Sequence, residues 1–202
     1  MSENYHKAYD EDAPLVAAWR RGELSSFEAL VRKHQKRVLN VAFRITGDYH
    51  DACEVVQDAF VSAFRSIESF RGAARFSTWL TSIAINLSRN RLQQSKTKRK
   101  NEAFSLDERG GIEHNGRHQD RPSSAPSALD RLERISVHEK LQECMKGLSV
   151  DFREAIVLRD MEEYSYDEIS AILQVSEGTV KSRLFRARGL VKDCLKRAVG
   201  EL

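Results

Sequence analysis

Cysteine is scarce in this sequence: Cys53, Cys144 and Cys194 are the three present. An odd number at wide spacings provides neither a zinc-ligand pattern nor a disulfide framework, so three free thiols in a reducing compartment are expected. Long apolar runs are also lacking. No stretch approaches the roughly 18–20 residues that span a bilayer, so no direct membrane insertion is expected. The opening MSENYHKAYDEDA has no basic segment leading into an apolar one, which argues against an export signal and for a cytoplasmic location. Strand-type alternation is weak throughout, and no internal repeat suggests a solenoid. A large excess of one charge is missing too: 33 basic against 30 acidic side chains leave +3, which by itself says little about partners. The distribution says more. Glu3, Asp10, Glu11 and Asp12 make the start acidic, whereas the stretches 89–100 and 181–197 are strongly basic.

What is present is helical periodicity in two blocks. Residues 14–94 read as helical throughout. Phe27, Leu30, Val31, His34, Val38, Leu39, Val41, Ala42 and Ile45 recur at three- and four-residue steps, with Ser25 or Ser26 as caps and Gly47 as the stop. A second stripe follows in Ala52, Val55, Val56, Ala59, Phe60, Ala63, Phe64 and Ile67, and a third begins at Trp79 after the loop SFRGAARFS. From 95 to 132 the pattern fails. That stretch is rich in Gly, Pro, Ser and charge, and it reads as a flexible linker too polar to offset the cost of ordering. His114 and His118 lie there among glycines, which disfavours the helix their spacing would need to hold a metal. Periodicity resumes over 133–199. The expected fold is all-α: two small helical domains joined by a flexible linker, the second carrying a helix-turn-helix.

That motif is the sharpest local signal. Asp167–Leu173 forms a short helix with Ile169, Ile172 and Leu173 inward; Gln174 and Val175 turn; Ser176 caps a second helix from Glu177. Val180 and Leu184 face the first helix, which leaves Thr179, Lys181, Ser182, Phe185 and Arg186 outward. Short polar groups, cations and one apolar side chain suit base edges and thymine methyls in a major groove, and Arg183, Arg188 and Lys192 suit phosphates.

Taken in order, DACEVVQDAFVSAFRSI, FRGAARFSTWLTSIAINLSRNRL, the polar linker and the helix-turn-helix resemble the extracytoplasmic-function group of bacterial sigma factors over nearly the whole chain. The resemblance implies a promoter-specific transcription initiation factor, not an enzyme, that needs no cofactor or metal. Its partners would be core RNA polymerase, promoter DNA as duplex and as melted strand, and an anti-sigma factor. The free protein would be a monomer. Core polymerase would dock on Asp51, Glu54, Val55, Gln57, Asp58, Phe60 and Phe64, an apolar centre with a polar rim. Promoter melting and the −10 element would fall to Phe70, Arg71, Arg75, Phe76, Trp79, Asn86, Arg89 and Asn90, which combine aromatic faces, cations and amides. The −35 element would fall to Thr179, Lys181, Ser182, Arg183, Phe185 and Arg186. No further domain is expected beyond these two, so control would come from a separate protein.

Two other readings remain open from the residues. A stand-alone helix-turn-helix regulator needs a dimer seam or ligand pocket, and neither shows in the pattern. A metal-dependent nuclease built on Asp160, Glu162, Glu163, Asp167 and Glu168 lacks a His or Lys at a catalytic spacing.

Overall fold

The computed structural model describes residues 10–105 and 139–199, and every regular element among them is helical. The first half contains α1 (Ala13–Arg20), α2 (Leu24–Thr46), α3 (Tyr49–Arg65), a short 3-10 turn (Ile67–Ser69) and α4 (Phe76–Ser105). The second contains α5, helical over 139–146, then α6 (Val150–Ile156) running into a π-helical turn (Val157–Met161), α7 (Tyr166–Leu173) and α8 (Glu177–Val199).

The local reasons for these boundaries are mostly legible. Pro14 sits in the first turn of α1, where its missing N–H costs nothing. Gly47 ends α2 at φ 74°, a left-handed conformation that other residues enter only at a cost. The Asp48 side chain then accepts from the Asp51 amide at 2.9 Å and starts α3. Two expected boundaries differ. Ser25 and Ser26 lie inside α2, whose first helical residue is Leu24, and neither serves as its cap. Helix α4 continues to Ser105 instead of ending near Gln94. Lys, Arg, Gln, Glu and Ala favour a helix and nothing between 95 and 105 breaks one, so solvated charge alone did not mark a linker. The rest of the expected linker, with His114 and His118, lies outside the described residues.

The core of the first half joins α1 to α4: Trp19, Leu30, Val38, Ala52, Val55, Ala59, Phe60, Phe76 and Leu80 are buried together. Each large apolar side chain there contributes about 1.5–3 kcal/mol of transfer free energy. The amino-terminal segment is tied to this core by carboxylates. Asp10 Oδ2 accepts from the Phe76 amide at 2.9 Å and so caps α4 from 66 residues away. Buried Asp12 bonds Lys33 Nζ and His34 Nε2, each at 2.7 Å. Burial opposes ionisation of Asp12, but the hydrogen bonds from His34 and Lys33 outweigh it and hold the carboxyl below its usual value. A carboxyl lowered by folding stabilises above its unfolded pKa, and that contribution disappears as the pH falls through the folded pKa. Asp12→Ala should therefore cost about 1–3 kcal/mol at pH 7 and progressively less below about pH 4. Urea unfolding at both pH values measures it; an equal loss at both would show that Asp12 acts by packing alone.

Among the described residues the second half does not have a separate core. Val41, Ile45 and Ile85 of the first half are buried in one cluster with Met145, Leu148, Ile156, Leu158, Ile169, Leu184 and others of the second.

Candidate nucleic-acid interface

The helix-turn-helix forms as its pattern requires. Ser165 and Glu168 build a reciprocal capping box at the start of α7: the Glu168 amide donates to Ser165 Oγ at 3.2 Å and the Ser165 amide to Glu168 Oε2 at 2.9 Å. Gln174 ends α7 with φ 56°, a left-handed position taken here without a glycine. Ser176 Oγ accepts from the Thr179 amide at 3.2 Å and starts α8. Ile169, Ile172 and Leu173 close on Val180, Leu184 and Ala187, all buried. The opposite face of α8 is open. Lys181, Ser182 and Arg186 are exposed, and Phe185 is 81% exposed. An aromatic left in water at the centre of a basic face contributes nothing to the core, so a core role for Phe185 is excluded. Thr179 is half-buried. Lys181 lies over the Tyr166 ring at 5.6 Å. Arg183 is turned to Asp151 at 2.9 Å, and Arg188 grips Asp160 through two nitrogens at 2.9 and 2.5 Å. Arg188 is exposed, and an ion pair at such exposure is worth about 1 kcal/mol or less, so Arg188 can be recruited by phosphate, whereas Arg183 is half-buried.

On α3 the expected docking residues divide. Val55 and Phe60 are buried in the core of the first half and present nothing outward, a correction to their expected place in an interface. A helix stripe at three- and four-residue steps cannot by itself tell the inward from the outward edge. Gln57 and Asp58 are exposed, and Phe64 is 44% exposed although it packs on Trp19 and Phe27. Val61, which the pattern did not single out, is exposed beside them. Asp51 and Glu54 are held by Arg91 of α4, Asp51 at 2.8 Å.

The residues expected to handle melted DNA also divide. Phe76 is 0% exposed and Phe70 is buried, and both pack with Trp19 or Trp79; they form the floor of the loop and offer no face to a base, which corrects that expectation. Arg20 donates to the carbonyls of Ile67 and Phe70 and fixes the same loop from α1. Arg71 and Arg75 are exposed, Trp79 is half-buried, and Asn86 and Asn90 are exposed on one face of α4 with Arg89 between them.

The second half covers part of that face, which the sequence did not reveal. Arg89 donates from Nε and Nη2 to the Glu154 carboxylate at 2.7 and 2.6 Å, and Glu154 is fully buried. Burial pushes Glu154 above the usual carboxylate range and the Arg89 bonds only partly offset it. Thr81 Oγ1 meets the Tyr164 hydroxyl at 2.8 Å, Arg37 donates to Glu162 at 3.2 Å and lies over the Tyr164 ring, and Arg75 is 3.6 Å from Glu168. Arg153 fastens the arrangement: Nε bonds the Met145 carbonyl at 2.9 Å, Nη2 those of Lys146 and Leu148 at 2.6 and 3.1 Å, and Nη1 that of Ile45 across the divide at 2.6 Å. Charged residues on the apolar stretch FREAIVL were the available signal. Three of the five carboxylates weighed for a nuclease are taken up in separate contacts: Asp160 on Arg188, Glu162 on Arg37 and Glu168 in the capping box.

The cysteines also differ from expectation. Cys144 of α5 and Cys194 of α8 form a disulfide, with Cα atoms 5.7 Å apart. They are 50 residues apart in sequence, and only the fold brings them together. Cys53 is free and exposed. No described helix is long and apolar enough to cross a membrane.

Comparison with known proteins follows the same division. A family model described as Sigma-70 region 2 matches residues 30–98, and one described as Sigma-70, region 4 matches residues 138–190. The chain is 34% identical over 188 residues to the RNA polymerase sigma-H factor of Pseudomonas aeruginosa, covering 93% of this chain and 95% of that one. It is 34% identical over 188 residues to the ECF RNA polymerase sigma-E factor of Escherichia coli, covering 90% and 93%. Among solved structures, CnrH in complex with the cytosolic domain of CnrY superposes with a TM-score of 0.64 at 25% identity, over 93% of this chain and 99% of that one. The sigma factor RpoE in complex with the anti-sigma factor NepR, from Bartonella quintana, gives 0.62 at 26% identity over 84% and 96%.

Proposed function

The chain belongs to the sigma-70 family, in its extracytoplasmic-function group, and from that membership we infer how its two halves divide the work. It binds core RNA polymerase and directs promoter-specific transcription initiation, under the control of an anti-sigma factor. It works in the cytoplasm as a monomer until polymerase takes it up. The phosphodiester chemistry is the polymerase's, so this chain needs no catalytic residue, metal or cofactor.

In this reading residues 14–94, with the overrun of α4, are the polymerase-binding and melting domain, and 133–199 the −35-reading domain. Core polymerase docks on the open side of α3, through Gln57, Asp58, Val61 and Phe64. Arg71, Arg75, Trp79, Asn86, Arg89 and Asn90 serve the melted −10 strand. The observation that carries the reading is the outer face of α8, where Ser182, Phe185 and Arg186 are exposed while Val180 and Leu184 are spent on the core. Duplex elements about 17 base pairs apart lie about 55–60 Å apart at 3.4 Å per pair. Halves joined by the Thr81–Tyr164 and Arg89–Glu154 contacts cannot read both at once, so polymerase must part them, and the free protein binds promoters weakly.

Ser182→Ala and Arg186→Ala should each reduce transcription from a cognate promoter by about 10–100-fold, the cost of one lost base contact, while co-elution with polymerase stays unchanged. Normal transcription by both variants in a reconstituted assay would remove α8 as the reader.

A further inference from the structure

We propose that the Cys144–Cys194 disulfide is a reversible redox latch: oxidised, it keeps the second half seated on the first; reduced, it lets the halves part. The proposal rests on the sigma-factor reading for its consequence, though not for its chemistry. A disulfide in a cytoplasmic protein is seldom a permanent structural bond, because glutathione and thioredoxin-type dithiols keep thiols reduced there; one that forms is usually transient or sensing.

The position of the bond decides what it controls. The end of helix α5 is one of the places where the two halves meet, beside the contacts of α4 with α7. Met145 and Leu148, at and just beyond its end, lie in the shared core with Val41, Ile45 and Ile85. Arg153 binds the carbonyls of Met145, Lys146 and Leu148 with one side of its guanidinium and that of Ile45 with the other. The disulfide fastens this wedge to α8 at Cys194, beyond Ala187, the last buried residue of the helix-turn-helix. From 188 to 198 every side chain of α8 is exposed or half-buried. The covalent bond therefore adds a restraint on that end of α8 to those from Val191, which packs on the shared core, and from the Arg188–Asp160 pair. Cutting it leaves α5 held by Arg153 and a few apolar side chains.

The chemistry is balanced with ordinary cellular thiols. In oxidation by glutathione disulfide, the half-buried Cys194 thiolate attacks one glutathione sulfur and expels glutathione thiolate. Cys144 Sγ, deprotonated, then attacks Cys194 Sγ and expels the second. Two thiols and one glutathione disulfide become one protein disulfide and two glutathiones. A dithiol reductant reverses this, entering at Cys194, because Cys144 is buried. Exposed Cys53 is a bystander.

The test uses the full chain carrying Cys53→Ser, equilibrated with glutathione disulfide or with dithiothreitol. A thiol-reactive polyethylene glycol maleimide counts free thiols after denaturation; none in the first case and two in the second are expected. Amide exchange over 41–47 and 139–148 should rise about tenfold on reduction, the mark of a contact that opens more often. Single-round transcription with core polymerase should be about fivefold lower for the oxidised form, a modest population shift. Cys194→Ser should behave as the reduced protein under both conditions, and Cys144→Ser the same if its buried site tolerates the change. Two free thiols under glutathione disulfide would overturn the proposal. So would a disulfide that forms while exchange at the seam stays constant, or one that dithiothreitol cannot reduce in the native protein. If the reduced protein fails to transcribe with any core polymerase, the sigma-factor reading fails instead, and the thiol count and exchange still decide the latch.

Discussion

Arg153→Ala will unfold or part the second half. Its guanidinium serves four backbone carbonyls, three at the end of α5 and one at the end of α2, in a site with almost no solvent. Burial lowers the affinity of this guanidinium for its proton, and neighbouring Glu154 opposes that. An arginine stays charged under either influence. Alanine removes every donor at once and leaves the carbonyls facing a cavity. The expected loss is about 3–5 kcal/mol, comparable with the stability of a small domain. Arg153→Lys should recover only part of it, because an ammonium is a single point and cannot span carbonyls from two helices. Urea unfolding followed by circular dichroism measures both variants. A loss below about 1 kcal/mol for alanine would mean that water replaces the side chain and that the apolar seam alone joins the halves.

Asp58→Arg will abolish co-elution with core polymerase. Asp58 is exposed, beside Gln57 and the half-exposed Phe64, and among the described residues it acts on the fold only through its charge near Arg91. Its reversal should lower the urea midpoint only slightly, as expected of an exposed charge. At a docked surface, replacing an attraction by a like-charge repulsion costs several kcal/mol, here about 3 kcal/mol or a hundredfold in affinity. Phe64→Ala should weaken binding less cleanly, since Phe64 also packs on Trp19 and Phe27. Sizing chromatography at micromolar concentration is sufficient for both. If both variants co-elute like the parent protein, polymerase binds elsewhere than α3. If the parent protein does not co-elute, a stand-alone regulator becomes the better reading, and self-association is the next property to measure.

Much of the fold was readable because its signals are local. The three- and four-residue steps of Leu30, His34, Val38, Val41 and Ile45 place α2, and Gly47 and Asp48 turn the chain into α3. The pairing of α7 with α8 follows from Ile169, Ile172 and Leu173 against Val180 and Leu184, all within sixteen residues. The outward Ser182, Phe185 and Arg186 are what remains of the same helix once those positions are assigned inward. The failures had local causes as well. Helix α4 overran because Lys and Arg do not end a helix, and Phe70 and Phe76 read as surface aromatics only because a loop has no period from which to assign a face.

The sequence by itself determined the helices, the turn between α7 and α8 and the family, since each depends on residues close together in the chain or on an ordered set of such segments. Only the tertiary structure decided that Val55 and Phe60 face inward, that Arg91 occupies Asp51 and Glu54, that Arg89 is held by Glu154 and Arg153 by Ile45, and that Cys144 meets Cys194. The reason is the same in each case. These contacts join positions separated by many residues, and periodicity records which side of a helix is apolar but not which element will cover it.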